Sequence, residues 1–326
     1  MSAESIQVAV GIVINAGRVL LAKRPEGTHL GGLWEFPGGK LQPGEDSIDA
    51  LRREMLEELC LSVLKARPLI KIHHNYPDRQ VILNVWLVRE WAGDPVGKEG
   101  QLVEWVELSR LPEIEFPPAN RMLVKAIQLP ALYLISPGPQ GDPDKFLSVI
   151  EECTDAGASL LQLRCNEEIF RKYPHLVRQV LSICEANHTR LLLNSSPATA
   201  VALKAHGVHL NSVRLLQLNE RPLDRNFLVS ASCHNRSELL HASRIGVDFA
   251  VLSPVKKTPS HPEATPLGWD RFSRLAECSD IPIYALGGMR PEHLNYAWAH
   301  GAQGVAMLSS VWSSSRPAEI VRLCNR

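Results

Sequence analysis

The chain lacks a charge bias: 35 Lys and Arg side chains face 35 Asp and Glu side chains in 326 residues, for a formal net charge of zero. A general nucleic-acid binder or a protein held on anionic lipid advertises itself by an excess of basic residues, so neither partner is expected and small-molecule chemistry is the default. No apolar run approaches the length needed to span a bilayer. The opening residues, MSAESIQVAVGIVINAG, carry no basic segment ahead of a hydrophobic one, so a cytoplasmic protein is expected. The seven cysteines (60, 153, 165, 184, 233, 278 and 324) stand singly with no C-x-x-C pair. That spacing argues against a zinc site or a disulfide framework and reads as reduced thiols filling cores. At 45% hydrophobic residues, the chain is long enough for two domains of ordinary size.

What is present is a carboxylate cluster. In DSIDALRREMLEELC, Asp46 or Ser47 can cap a helix in which Ile48, Leu51, Met55 and Leu59 recur as a buried stripe. Glu54, Glu57 and Glu58 then share a neighbouring arc. Like charges three and four residues apart weaken a helix by a few tenths of a kcal/mol per pair, about 0.2–0.5, unless a cation sits among them. Their hard oxygens suit magnesium, with manganese as a substitute, bridging to substrate phosphates. For EMLEE alone, a solvated acidic face is the competing reading.

The residues ahead of the helix decide between the two. Pro37-Gly38-Gly39 is followed after five residues by Glu45, and seven residues later by Arg53-Glu54, then Glu57 and Glu58. This resembles the Nudix box, G-x5-E-x7-R-E-U-x-E-E-x-G-U, with U a bulky aliphatic residue. Met55 and Leu61 fill U positions, and Cys60 stands where the family has its last glycine. A cysteine there would be strained, because the residue after a helix often takes a left-handed backbone.

Further segments resemble the MutT type of the family, hydrolases that clear oxidised guanine nucleotides: AVGI, Arg24, Leu33 with EFPGGK, YPDR at Tyr76 to Arg79, WLVREW, GKEGQ at Gly97 to Gln101, and FPPAN at Phe116 to Asn120. The resemblance covers nearly all of residues 5–128. It implies that Asn120 reads the edge of the oxidised purine, that Phe36 stacks or packs near the base, and that Arg24 contacts the 8-oxo side or the sugar-phosphate. It also implies that Glu54, Glu57, Glu58, Glu99 and the Gly38 carbonyl hold magnesium. Arg53 would orient the carboxylates through a forked salt bridge, and Glu54 or Glu99 would deprotonate the attacking water. A nucleoside triphosphate would be cut at its β-phosphorus into monophosphate and pyrophosphate.

Ile6–Ile14 alternates as a strand and pairs with Arg18–Ala22 across Asn15-Ala16-Gly17; VILNVWLVREW and LVEWVEL supply further strands. The fold expected for residues 1–128 is the Nudix α/β/α sandwich on a mixed sheet. A proline-rich stretch from Leu108 to Ala131, with a short helix in NRMLVKAIQL, places a boundary near 129. Beyond it ALYLIS, SLLQLR, RLLLN, GVHL, FLVSAS, FAVLSP, IPIYAL and GVAML alternate with helical stretches. Eight such units over residues 131–326 read as a (β/α)8 TIM barrel, with its site at the strand C-termini. Arg164, Asn194, His209, Ser232, His234, Thr258 and Gly287-Gly288 sit there.

Those strand ends resemble the thiamine phosphate synthase and TenI family over residues 131–312, through YLIS, QLR, GVHL, S-C-H, SPVKKTPSHP, ALGGM and GAQGVAMLSSVW. The resemblance implies a phosphate site at Gly287, Gly288 and Ser309, and a phosphorylated thiazole or pyrimidine as ligand. Four positions depart from it. Asn166 and His261 replace lysines, Ser195 replaces an aspartate, and Asn211-Ser212 stands where a second magnesium aspartate is expected. Those groups bind magnesium pyrophosphate in the synthase. Each lost charge-assisted contact is worth roughly 1.5 to 3 kcal/mol, so altered or absent synthase activity is expected, with His234 still able to act as acid or base. Two other readings place the main function in thiamin metabolism, or make the barrel a ligand sensor without catalysis.

Overall fold

The computed structural model describes residues 5–27, 30–75, 80–139, 142–258 and 263–325. Tyr76 to Arg79 and His261, singled out above, lie outside the described residues. The chain divides into two compact units, Met1–Gln128 and Leu129–Arg326.

In the first unit, β1 (Ser5–Asn15), β2 (Arg18–Lys23), β3 (Trp34–Glu35) and β4 (Gly38–Lys40) precede helix α1 (Ser47–Leu59). Then come β5 (Ser62–Asn75), β6 (Gln80–Ala92), β7 (Val103–Glu107) and α2 (Pro118–Ile127). The sheet is mixed, in the order β3-β2-β1-β6-β5, with β4 on β1 and β7 on β2. The expected hairpin pairs only at its base, Ile14 with Val19 and Asn15 with Arg18. Beyond that point β1 runs parallel to β6 through nine residue pairs and takes β4 on its other edge.

Side chains alternate across a strand, and β1 uses both faces. Ala9 and Val13 join Leu51, Met55 and Leu59 of α1 in one core, whereas Val10 and Ile12 join Leu123 and Ala126 of α2 in the other. The result is an α/β/α sandwich. Strand β5 was not foreseen. Three register shifts and Pro68 interrupt its alternation, and a proline is tolerated because β5 lies at the edge of the sheet.

In the second unit eight parallel strands close into a barrel. In chain order they and their helices are β8 (Leu132–Ile135), α3 (Pro143–Asp155), β9 (Leu160–Leu163), α4 (Glu167–Lys172), α5 (Pro174–Ala186), β10 (Arg190–Leu193) and α6 (Pro197–Ala202). They continue with β11 (Gly207–Leu210), α7 (Ser212–Leu216), β12 (Leu228–Cys233), α8 (Arg236–Arg244), β13 (Phe249–Leu252) and α9 (Gly268–Ala276). The last are β14 (Ile283–Ala285), α10 (Leu294–Ala299), β15 (Gly304–Met307), α11 (Ser309–Trp312) and α12 (Pro317–Cys324). Tyr133, Phe249 and Tyr284 fill the interior, ring edge against ring face, with Tyr133 and Phe249 centroids 5.1 Å apart. The interior is therefore a packed core.

Candidate functional sites

Helix α1 is built to hold its glutamates in place. Asp46 caps its N-terminus by accepting from the Ser47 N–H, and Ala50, Leu51, Met55 and Leu59 bury one face. At the other end Cys60 takes the left-handed backbone (φ 59°) that the box assigns to glycine, its N–H bonded to the Leu56 carbonyl. The turn therefore survives the substitution.

The carboxylates meet one guanidinium. Arg53 donates from Nε and Nη2 to the two oxygens of Glu45, both at 2.8 Å, and from Nη1 to Glu54 at 2.7 Å and Glu57 at 3.2 Å. Nη2 also reaches the Lys40 carbonyl at 3.1 Å, fastening the helix to β4. This fork, with the Gln42 N–H, holds the Glu45 carboxyl down at about 2 and lifts Arg53 above its usual range.

Gly38 and Gly39 lie flat between β1 and α1, paired with Val10 and Ala9. A Cβ on Gly39 would collide with the Glu54 carboxyl group, and one on Gly38 with the Ala9 carbonyl. Glu54 therefore rests on bare backbone, beside Gly38. Opposite, the loop after β6 docks on the end of α1. The N–H groups of Val96 and Lys98 donate to the carbonyls of Leu59 (3.0 Å) and Glu58 (2.9 Å), and Gln101 Nε2 donates to Glu58 O at 3.3 Å. This docking brings Glu99 within electrostatic range of Glu58. Burial, then Glu54, Glu99, Glu35 and Glu57, push the Glu58 carboxyl up to about 7.

Among the described residues, no three His, Cys, Asp or Glu side chains converge as a ready-made metal cage. The donor chemistry nevertheless suits a hard divalent cation. Every candidate ligand is an oxygen, negative charge exceeds what Arg53 can neutralise, and the glycine backbone leaves room that a side chain would fill.

The residues expected at the base are placed differently from one another. Arg24 follows β2 and pairs with Glu35. Asn120 sits in the first turn of α2, 7% exposed, and its carboxamide makes no hydrogen bond to any other described residue. The Phe36 ring is 3% exposed and stacks on Phe116, 5.3 Å between centroids and 4° between planes, so one of its faces is covered by a core partner. Glu35 was missed: it faces Arg24 on one side and adds to the field at Glu58 on the other, and burial raises its own carboxyl. Its only sequence signal was its place in EFPGGK.

In the barrel, Arg164, His234, Thr258, Gly287, Gly288 and Ser309 all line one cavity of about 230 Å³ at the strand C-termini, with Asn194, His209 and Ser232. Gly287 (φ 104°) and Gly288 (φ 66°) have backbones that only glycine takes without strain. Added Cβ atoms would lie 2.9 Å from Pro254 Cα and from the Lys257 carbonyl. His234 contacts the Ser253 carbonyl through Nδ1 at 2.9 Å. A carbonyl only accepts, so that nitrogen carries the proton and Nε2 is left as a base. His209 lies deeper, held between the hydroxyls of Ser230 and Ser232 at 2.8 Å each. Burial, then Arg164 and Arg214, depress it to about 3, so it stays neutral.

The departing residues have local structural work. Asn166 and Asn211 cap α4 and α7, and Ser195 is buried with its hydroxyl on the Ser196 carbonyl. Among the described residues, no carboxylate lines the cavity, so the magnesium implied by the synthase resemblance does not fit this donor set.

A carboxylate helix on a glycine strand in an α/β/α sandwich is one class of unit, and a closed parallel barrel with a glycine pair at its strand ends is a second. The chain belongs to both corresponding families: the NUDIX domain model matches residues 9–126, and the thiamine monophosphate synthase model matches residues 132–311. The first unit is a Nudix hydrolase domain. Over 126 residues it is 36% identical to the 8-oxo-dGTP diphosphatase of Escherichia coli, covering 38% of this chain and 98% of that protein. Over 125 residues it is 41% identical to the 8-oxo-dGTP diphosphatase of Haemophilus influenzae, covering 38% and 92%. The barrel is 29% identical over 199 residues to the thiamine-phosphate synthase of Thioalkalivibrio sulfidiphilus, covering 60% of this chain and 94% of that one. Among the described residues no helix is long and apolar enough to cross a membrane.

Proposed function

We propose that the first unit hydrolyses oxidised purine nucleoside triphosphates in the cytoplasm, converting 8-oxo-dGTP and water to 8-oxo-dGMP and pyrophosphate before a polymerase can use the damaged nucleotide. The observation that carries this reading is Asn120. Its carboxamide makes no hydrogen bond to another described residue, which leaves both its donor and its acceptor available, and a guanine edge offers both an acceptor and a donor. Oxidation at C8 turns the acceptor at N7 into a donor, a change that an amide can read. Relatives named as 8-oxo-dGTP diphosphatases support the same substrate.

Glu54, Glu57, Glu58, Glu99 and the Gly38 carbonyl would hold magnesium, which when bound neutralises the phosphate oxygens and lowers the pKa of water. Arg53 is a positioning residue: its fork fixes Glu45, Glu54 and Glu57 relative to β4. Glu54, seated on Gly39, or Glu99 takes the proton from the attacking water. Arg24, held by Glu35, faces the nucleotide, and Phe36 with Phe116 backs the wall. Pyrophosphate release measured with 8-oxo-dGTP, dGTP and thiamin diphosphate tests the assignment. Equal or better turnover of thiamin diphosphate would move the function to thiamin metabolism. Glu54→Gln should lower the rate at least about a hundredfold at saturating magnesium, and a near-wild-type rate would remove Glu54 from the chemistry.

The barrel, on this reading, holds a phosphorylated thiazole or pyrimidine at Gly287, Gly288, Thr258 and Ser309, with altered or absent synthase activity. The carboxylate-free lining supports it. Formation of thiamine phosphate from the pyrimidine and thiazole phosphates at an ordinary synthase rate would refute it.

A further inference from the structure

The acids near the barrel mouth are committed elsewhere. Glu167, in the first turn of α4, accepts hydrogen bonds from the Ser196 N–H at 3.2 Å, from the Thr199 hydroxyl and from Arg214 Nη2 at 3.3 Å. Glu238 accepts from the His234 N–H at 2.7 Å and from Asn235 Nδ2 at 2.9 Å. Arg214, on α7, also donates from Nη1 to Asn194 Oδ1 at 3.2 Å, and Asn194 lines the cavity. Helices α4, α6 and α7 follow β9, β10 and β11, three neighbouring strands of the barrel. One guanidinium–carboxylate pair therefore ties three successive strand-end loops together.

Arg164, at the end of β9, lines the same cavity and has no acidic partner among the described residues. Its guanidinium and that of Arg214 both act on His209 deeper in the cavity. A hard divalent cation needs oxygen ligands with negative charge, and in the cavity it would meet the Arg164 guanidinium and amides instead. A phosphate oxygen, by contrast, is the partner that a guanidinium fork matches in both charge and shape.

We propose that the barrel binds the anionic part of its ligand, a small phosphomonoester or diphosphate, without a divalent cation: Arg164 supplies the positive charge, and the Arg214–Glu167 pair fixes the three loops that a bridging cation would otherwise have to fix. This rests on the reading that the barrel takes a phosphorylated ligand.

The test is peptide-resolved hydrogen–deuterium exchange on the full chain, with inorganic pyrophosphate as the probe, in EDTA and in magnesium. Reading the peptides that span 160–166, 207–214 and 284–290 keeps the barrel separate from the Nudix site. Protection in EDTA should reach the level seen in magnesium, and Arg164→Gln should raise the pyrophosphate concentration required by at least about tenfold. Arg214→Asp, which places a second carboxylate beside Glu167, should make protection depend on magnesium, with exchange of the 130–135 strand unchanged as the control for folding. Protection of the wild type only in magnesium would overturn the cation-free proposal while leaving ligand binding intact. No protection in either condition would overturn the reading on which it rests, and the proposal with it. Arg214→Asp protected equally with and without magnesium would overturn the role given to the Arg214–Glu167 pair.

Discussion

The carboxyl group of Glu54 lies directly over the α-carbon of Gly39, with no room for a methyl group between them. Gly39→Ala should therefore displace Glu54 without removing any charge. A shift of about 1 Å at a reacting group can cost on the order of a hundredfold in rate, so kcat for pyrophosphate release should fall by about that factor while the far-ultraviolet circular dichroism is unchanged. A rate within threefold of wild type would show that the seat of Glu54 has no bearing on catalysis.

Asn120→Ala should erase preference rather than activity. Hydrogen bonds of this kind are worth about 1–3 kcal/mol when the site is built around them, so the ratio of kcat/KM for 8-oxo-dGTP over dGTP should drop by roughly 10- to 100-fold. Competition between the two nucleotides in one reaction measures it directly, and an unchanged ratio would place base recognition elsewhere.

The Arg53 fork carries an acid limit. Glu45 is held at about 2 in the folded chain, below an ordinary glutamate near 4.5. Below about 4.5 the unfolded chain takes up a proton that the folded one refuses, so this contribution to stability is complete above that pH and is lost as pH falls toward 2. In that window the protection of α1 amides from exchange should decline less steeply in Glu45→Gln than in wild type. Parallel pH profiles would count against the fork.

His209 gives the barrel its own slope in a different range. Its folded value of about 3 lies below the ordinary 6.5. The unfolded chain therefore gains a proton as pH drops through 6.5 while the folded one stays neutral, and stability falls between 6.5 and 3. His209→Gln should start less stable, through loss of the Ser230 and Ser232 contacts, but should flatten that slope when urea unfolding is followed by exchange of the 228–233 strand. An unflattened slope would mean that another group titrates there.

The legible parts of this chain were those with a period or a fixed spacing. Glu45, Arg53, Glu54, Glu57 and Glu58 lie at set intervals along α1 and before it, and the barrel strands are short apolar runs at regular separation. Strand β5 stayed hidden because Pro68 and its register shifts break the alternation by which a strand is recognised. The stacking of Phe36 on Phe116 could not be read either, since the two residues are eighty apart and an aromatic beside a site looks the same whether its partner is a base or another ring. Arg214 was passed over for the opposite reason: a single arginine on a short helix carries no pattern, and its meaning depends on Glu167 and Asn194, which only the closed barrel brings to it.

Arg53 also bears on the helix that carries it. By pairing with Glu54 and Glu57 it offsets part of the like-charge repulsion along the glutamate arc, a repulsion that would otherwise count against the helix itself.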